Sequence, residues 1–198
     1  MMTSMEFWFD FGSPYSYFAA VEIEEVAFQY DRKLVWRPFS LAAPFAITGM
    51  RSLFATPLRG EYANHDWTRL SRKLHTPFKV PETRSSEKVG CAFYWLAENH
   101  PAYAVPFAKC AFHLCFGKGL DPGRPSGLRR IADAVKLEGV DLPEAIESES
   151  AQSRYWQASE EAVSRGVFGA PFFFVDGEPF WGTDRIAMIR DWLDRGGW

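Results

Sequence analysis

Ser13-Pro14-Tyr15-Ser16 sets two hydroxyls at the spacing that redox proteins give to a C-x-x-C pair, with oxygen in place of both sulfurs. The motif lies between a short apolar run and a stretch of helical periodicity, so Ser13 falls where a helix begins. A serine there accepts hydrogen bonds from the free N–H groups, and proline suits the first helical position. That capping role is one use of the pair. The same geometry gathers unpaired N–H groups at the positive end of a helix dipole, which favours an anion. A hydroxyl at that point can donate to a thiolate while staying unreactive itself. The three cysteines, Cys91, Cys110 and Cys115, are too few for a disulfide framework and lack zinc-ligand spacing. The four histidines are scattered, and no metal site is expected.

Two further stretches carry chemistry. Phe168-Gly169-Ala170-Pro171 precedes an apolar run, where proline can simply open a strand. "WGTDRI" (Trp181 to Ile186) ends one pattern and opens another. Thr183 there can cap a helix, with Asp184 favourable to its dipole. Alternatively the Thr183 hydroxyl, the helix N–H groups and Asp184 form a receptor for an amino-acid zwitterion, with Asp184 on the ammonium.

The elements that must position these residues are legible in outline. Met5 to Phe11, aromatic-rich and ended by Gly12, predicts a buried strand. Tyr15, Ala19, Ile23, Val26 and Tyr30 recur at helical spacing. Lys33 to Phe39 predicts a second strand, stopped near Pro38. Strand, helix, strand makes a βαβ unit whose strands run parallel. Phe39 to about Met50 is loop-like, with Pro44 and Gly49; from there to Gly166 the pattern is mostly helical. Within it, Ser126 is expected to cap a helix running to about Leu137, and two helices follow near 142–149 and 151–165. Pro171 to Gly182 predicts a hairpin turning at Asp176-Gly177, and a last amphipathic helix carries Ile186, Ile189 and Leu193.

This order is α/β and thioredoxin-like (βαβ…ββα), with residues 1–42 and 167–198 as the thioredoxin-like domain and 43–166 as an inserted all-helical domain. In that order a cis proline at position 171 faces the first helix's N-terminus, and Ala170 offers its N–H and C=O to an extended peptide, as in strand addition.

Composition removes several function classes. The net charge of −3 and the absence of a basic stripe exclude nucleic acid as an expected partner. The N-terminus lacks a signal-peptide pattern and no stretch is long enough to span a membrane, so a cytoplasmic protein is expected. Eighteen Phe and eight Trp exceed ordinary usage; most should be core, with a minority available to a flat ligand.

"FDFGSPYSYFA" and "GVFGAPFFFVDGEPFWGTDRI", with the helical stretch between them, resemble the 2-hydroxychromene-2-carboxylate isomerases, relatives of kappa-class glutathione transferases in the DsbA-like thioredoxin superfamily. The resemblance covers nearly the whole chain. It implies glutathione as cofactor, Ser13 as the catalytic residue held against its thiol, Ala170-Pro171 gripping its cysteinyl backbone, and Thr183 and Asp184 holding its γ-glutamyl end. Trp181 joins that cofactor set, while Phe39, Phe45 and Arg51 are the expected substrate contacts and Trp8 a further candidate wall. The implied reaction interconverts 2-hydroxychromene-2-carboxylate and trans-o-hydroxybenzylidenepyruvate, in naphthalene and related aromatic breakdown, by reversible thiolate addition to the conjugated double bond. A thiol of pKa ~8.5 is mostly protonated at neutral pH, and a helix N-terminus can lower it to roughly 3.5–7.5. Serine at position 13 keeps the hydrogen bond and removes the mixed disulfide that a cysteine would form.

One position departs from the pattern. Many relatives carry lysine after the residue matching Phe45, and this chain has Ala46; Arg51, Arg59 or Lys79 could substitute. A kappa-like transferase or peroxidase is the nearest rival, followed by a non-catalytic glutathione-binding protein. A protein disulfide oxidoreductase would need the cysteine pair that Ser13 and Ser16 replace. Relatives are commonly homodimers, and a homodimer is expected here.

Overall fold

β1 (Ser4–Phe9) is central because nearly every side chain beyond its first is apolar and finds cover, the exception being Glu6. The structure, a computed structural model, describes residues 4–198. β1 runs parallel to β2 (Lys33–Pro38), from Ser4 opposite Lys33 to Phe9 opposite Pro38. It runs antiparallel to β3 (Phe172–Val175), with Trp8 opposite Phe172. β3 turns at Asp176-Gly177 into β4 (Glu178–Trp181), giving the sheet order β2-β1-β3-β4.

These directions decide where function can sit. The carboxyl ends of β1, β2 and β4 and the amino end of β3 all emerge at one end of the sheet. Ser13, Leu41, Ala170 and Thr183 therefore leave the sheet together, although they span 170 residues of sequence.

α1 (Pro14–Gln29) follows β1 directly and buries Phe18, Ile23 and Val26. Between β2 and β3 the chain is helical: α2 (Ala42–Thr48), a 3-10 turn (Leu53–Ala55), α3 (Arg59–Lys73), α4 (Ser86–Asn99), α5 (Pro101–Phe112) continuing as a π-turn, α6 (Pro125–Ala134), α7 (Leu142–Ala145) and α8 (Glu149–Ser164). α9 (Ile186–Arg195) closes the fold.

The strand, helix and hairpin expectations hold, and three local ones do not. Residues 42–48 form a helix where a loop was expected. Pro44 sits in its first turn, where no N–H is needed, and Gly49 ends it with φ 69°. Pro125, at the first helical position, opens α6 in place of a Ser126 cap, and the helix ends at Ala134, short of Lys136 in the left-handed region. The helix expected over 142–149 is the single turn of α7.

One hydrophobic cluster joins sheet and helices. Phe9 of β1 meets Phe112 of α5 at 5.4 Å, and Trp67 of α3 meets Phe78 at 6.0 Å. α4 and α8 approach most closely at Gly90, where a Cβ would overlap the buried Tyr155 ring. Gly90→Ala should therefore force the two helices apart and cost about 1–3 kcal/mol. Thermal melting checks this, and an unchanged midpoint would contradict the tight seam.

Candidate active site

Ser13 caps α1 in extended conformation (φ −97°, ψ 115°), and its Oγ accepts from the Ser16 N–H at 3.2 Å. The same hydroxyl donates to the Ala170 carbonyl at 3.3 Å, across 157 residues of sequence. The Ala170–Pro171 peptide bond is cis. Among the described residues the Ala170 N–H meets no acceptor, so this residue presents a free donor and an accessible carbonyl side by side. An extended peptide laid against it would find both partners, which fits the cysteinyl backbone of glutathione.

The third segment is tied to the same place. The Gly182 N–H donates to the Pro171 carbonyl at 3.0 Å, which sets Thr183 and Asp184 beside the proline. Thr183–Arg185 is a 3-10 turn ahead of α9, and no side chain caps it, so Thr183 does not have the capping role. Asp184 is exposed and pairs with Arg185 at 2.8 Å. Trp181 lies over Gly169, whose missing side chain makes room for the indole, and meets Phe168 at 4.8 Å.

An aromatic cluster forms around Tyr15, in the first turn of α1. Tyr15 donates to Asp66 at 2.9 Å and packs on Trp67 at 5.8 Å, and Trp67 in turn packs on Phe54 at 4.9 Å. Burial, then the Asp66 carboxylate, with smaller contributions from Tyr62 and Asp184, push the Tyr15 phenol well above its usual range. Asp184 is thus near enough to Tyr15 to act on it.

Behind Ser13, Asp10 ties two segments. One carboxylate oxygen accepts from the Gly12 N–H at 2.6 Å and the other from the Leu41 N–H at 2.8 Å. Burial nevertheless pushes the Asp10 carboxyl above its ordinary 3.8, against the pull of those donors and of Arg84.

The expected residues divide clearly. Ser13, Ala170, Pro171, Trp181, Thr183 and Asp184 gather at one end of the sheet. Phe45 is half-buried on α2, and Arg51 is exposed beyond it with no ion pair among the described residues. Phe39 is corrected: it is fully buried against Trp8 at 6.2 Å, and both rings belong to a separate core cluster with no surface for a substrate. The side chain at position 39 follows the pleat of β2 inward. Tyr15, Phe54, Trp67 and Arg84 escaped sequence reading because only tertiary contacts bring them together. The cysteine thiols are held protonated: burial pushes Cys91 up to about 11 and Cys115, which also feels Arg84 and Asp10, up to about 12.

The comparisons with known proteins agree with this geometry. A DsbA-like thioredoxin domain matches residues 4–194. The 2-hydroxychromene-2-carboxylate isomerase of Sphingobium xenophagum is 31% identical over 199 residues, covering 98% of this chain and 99% of that one. The chain belongs to this isomerase family. A solved structure of a 2-hydroxychromene-2-carboxylate isomerase superposes with a TM-score of 0.89 at 25% identity, covering 98% of this chain and 95% of the other. A kappa-class glutathione transferase from Caenorhabditis elegans is a weaker relative, 22% identical over 96% of this chain and 91% of its own length. No helix among the described residues is long and apolar enough to cross a membrane.

The isomerase's Asp10 yields a signed prediction. Because burial raises its folded pKa, the stability it contributes is fully present below the unfolded value near 3.8 and is lost as pH rises through the folded value. Asp10→Asn does not titrate there. The stability advantage of wild type over this variant should therefore be larger near the acid end of the folded range than at neutral pH. Urea denaturation across that range checks it; an advantage that shrinks on acidification would show that the donors outweigh burial.

Proposed function

We propose that this isomerase uses glutathione to interconvert 2-hydroxychromene-2-carboxylate and trans-o-hydroxybenzylidenepyruvate. The observation that carries the reading is the Ser13 hydroxyl, held between the α1 N-terminus and the Ala170 carbonyl in a chain whose own Cys91 and Cys115 are buried and hard to ionise. The names of the similar isomerases supply the substrate pair, and the kappa-class relative supports the cofactor.

When bound, glutathione supplies a soft nucleophile that adds to the conjugated double bond and later leaves, so that the bond can turn as a single bond. The chain's own residues prepare that chemistry. Ala170 would hold the cysteinyl backbone, its carbonyl then taking a donor from the peptide in place of the Ser13 hydroxyl. The Ser13 hydroxyl has a single hydrogen to give and turns it from that carbonyl toward the sulfur. The α1 N-terminus adds its positive end. Asp184, now paired with Arg185, would hold the γ-glutamyl ammonium, and the N–H groups of the 3-10 turn would be available to its carboxylate. Trp181 and Phe168 shelter the backbone contacts from water. We extend the proposal to a cytoplasmic homodimer; Phe28, 89% exposed on α1, and Ile47, 70% exposed on α2, offer apolar surface for a second copy.

A kappa-like transferase is a second reading, supported by the kappa-class relative. An isomerisation assay beside a conjugation assay with an electrophile separates the two. Ser13→Ala should reduce kcat for isomerisation by about 100-fold, the cost of one preorganised donor to a developing charge, while the variant stays folded. Unchanged turnover, or isomerisation that proceeds fully without glutathione, would overturn the proposal.

A further inference from the structure

β2 ends the sheet on one side, and its outer edge borders a cavity of about 530 Å3 walled by α4, the start of α5 and α8. We propose that this edge binds an extended peptide of alternating acidic and apolar residues, supplied by a partner protein and added to the sheet as a further strand.

The backbone shows which groups are open. Along a strand, successive residues turn their N–H and C=O groups to opposite sides. The Phe39 N–H donates to the Phe9 carbonyl, so Val35 and Arg37 also face β1, while Leu34, Trp36 and Pro38 face away from it. The Tyr94 hydroxyl donates to the Pro38 carbonyl at 2.9 Å and closes that end. Among the described residues the Leu34 and Trp36 N–H and C=O groups meet no partner, and both residues border the cavity. An open edge of this kind is a template for another strand.

The pleat sets the side-chain pattern. Trp36 lies on the face where Phe9 packs edge-on to it at 5.4 Å and meets Phe93 of α4 at 6.3 Å, so that side of the cavity is apolar. Lys33, Val35 and Arg37 take the other face, which looks to α8, since Arg37 lies 3.6 Å from Glu161. That side is cationic. Arg154 of α8 is half-buried over the Tyr94 ring at 5.1 Å, and no carboxylate pairs with it among the described residues; Lys33 is exposed at the near end of the strand. Glu98 is the single acidic residue lining the cavity, against Lys33, Arg37 and Arg154. A strand laid along β2 therefore turns every second side chain to cations and the others to apolar surface. A guanidinium with free donors takes a carboxylate as a fork.

The charge excludes a second copy as the occupant. Two β2 edges paired about a two-fold axis at Val35 would set Lys33 of each against Arg37 of the other, like charges directly opposed.

Fluorescence polarisation with a fluorescein-labelled Val-Glu-Val-Glu-Val amide tests the assignment. Wild type should bind it with a Kd below about 100 µM, and at least about 10-fold more tightly than the glutamine counterpart. Arg154→Gln should bring that preference within about 3-fold. Leu34→Pro removes an N–H that β1 does not use, and should weaken binding at least about 10-fold. Should that variant melt early, peptides N-methylated at the glutamates or at the valines replace it, and one of the two patterns should lose binding while the other keeps it. No binding of the acidic peptide, equal binding of the glutamine peptide, a preference unchanged in Arg154→Gln, or binding kept by Leu34→Pro or by both methylated peptides would each overturn the proposal. Light scattering supplies the remaining outcome: dimerisation abolished by Leu34→Pro would give the edge to a second copy and overturn it as well.

Discussion

The contact between the Ser13 hydroxyl and the Ala170 carbonyl, at 3.3 Å, is the constraint around which the rest of the chain is arranged. It joins the first helix to the last hairpin at the one end of the sheet where four strands deliver their loops. A hydroxyl with a single proton, shared between a carbonyl and a helix start, can be redirected by whatever binds the neighbouring backbone. Under the proposed function, that suits the site to hold a sulfur that it does not itself supply. Cysteine at the same position would bring its own reactivity; oxygen brings the hydrogen bond alone.

The helices between β2 and β3 build the other half of the site. Asp10 binds the Ser13 loop to the start of α2 through the Gly12 and Leu41 N–H groups. A buried carboxylate is an expensive tie, and here it fixes the loop against the chain entering α2 instead of leaving it to pack against side chains alone. Tyr15, Trp67 and Phe54 pack as one aromatic cluster against the start of α1, while Trp181 and Phe168 pack together beside the cis proline. Continuity of the core from Phe9 to Phe112 makes these two halves one packed unit.

Much of this was legible in the sequence, and the illegible part has a common cause. Alternating and helical periodicities, with Asp176-Gly177 and Pro171 as punctuation, disclosed β1, α1, β2 and the hairpin, because those elements are specified by local pattern. Ser13, Ala170, Thr183 and Asp184 stood out for the same reason: each lies at an element boundary that the pattern marks. Pro44 and Gly49 misled, since a proline in a first turn and a glycine just past a last one also describe a short helix. Phe39 was misjudged because one aromatic residue at a strand end looks the same facing in or out. Arg84 and Phe54 lie 30 positions apart with no shared periodicity, and only packing reveals their stacking.

The central claim is that Ser13 and the α1 N-terminus hold a bound thiol in its ionised form. Ultraviolet titration of the thiolate of glutathione on the saturated protein measures this directly. The account predicts an apparent pKa at least about 1 unit below that of free glutathione, rising back toward it in Ser13→Ala. A bound thiol that titrates like the free tripeptide in wild type, or identically in both proteins, would contradict it.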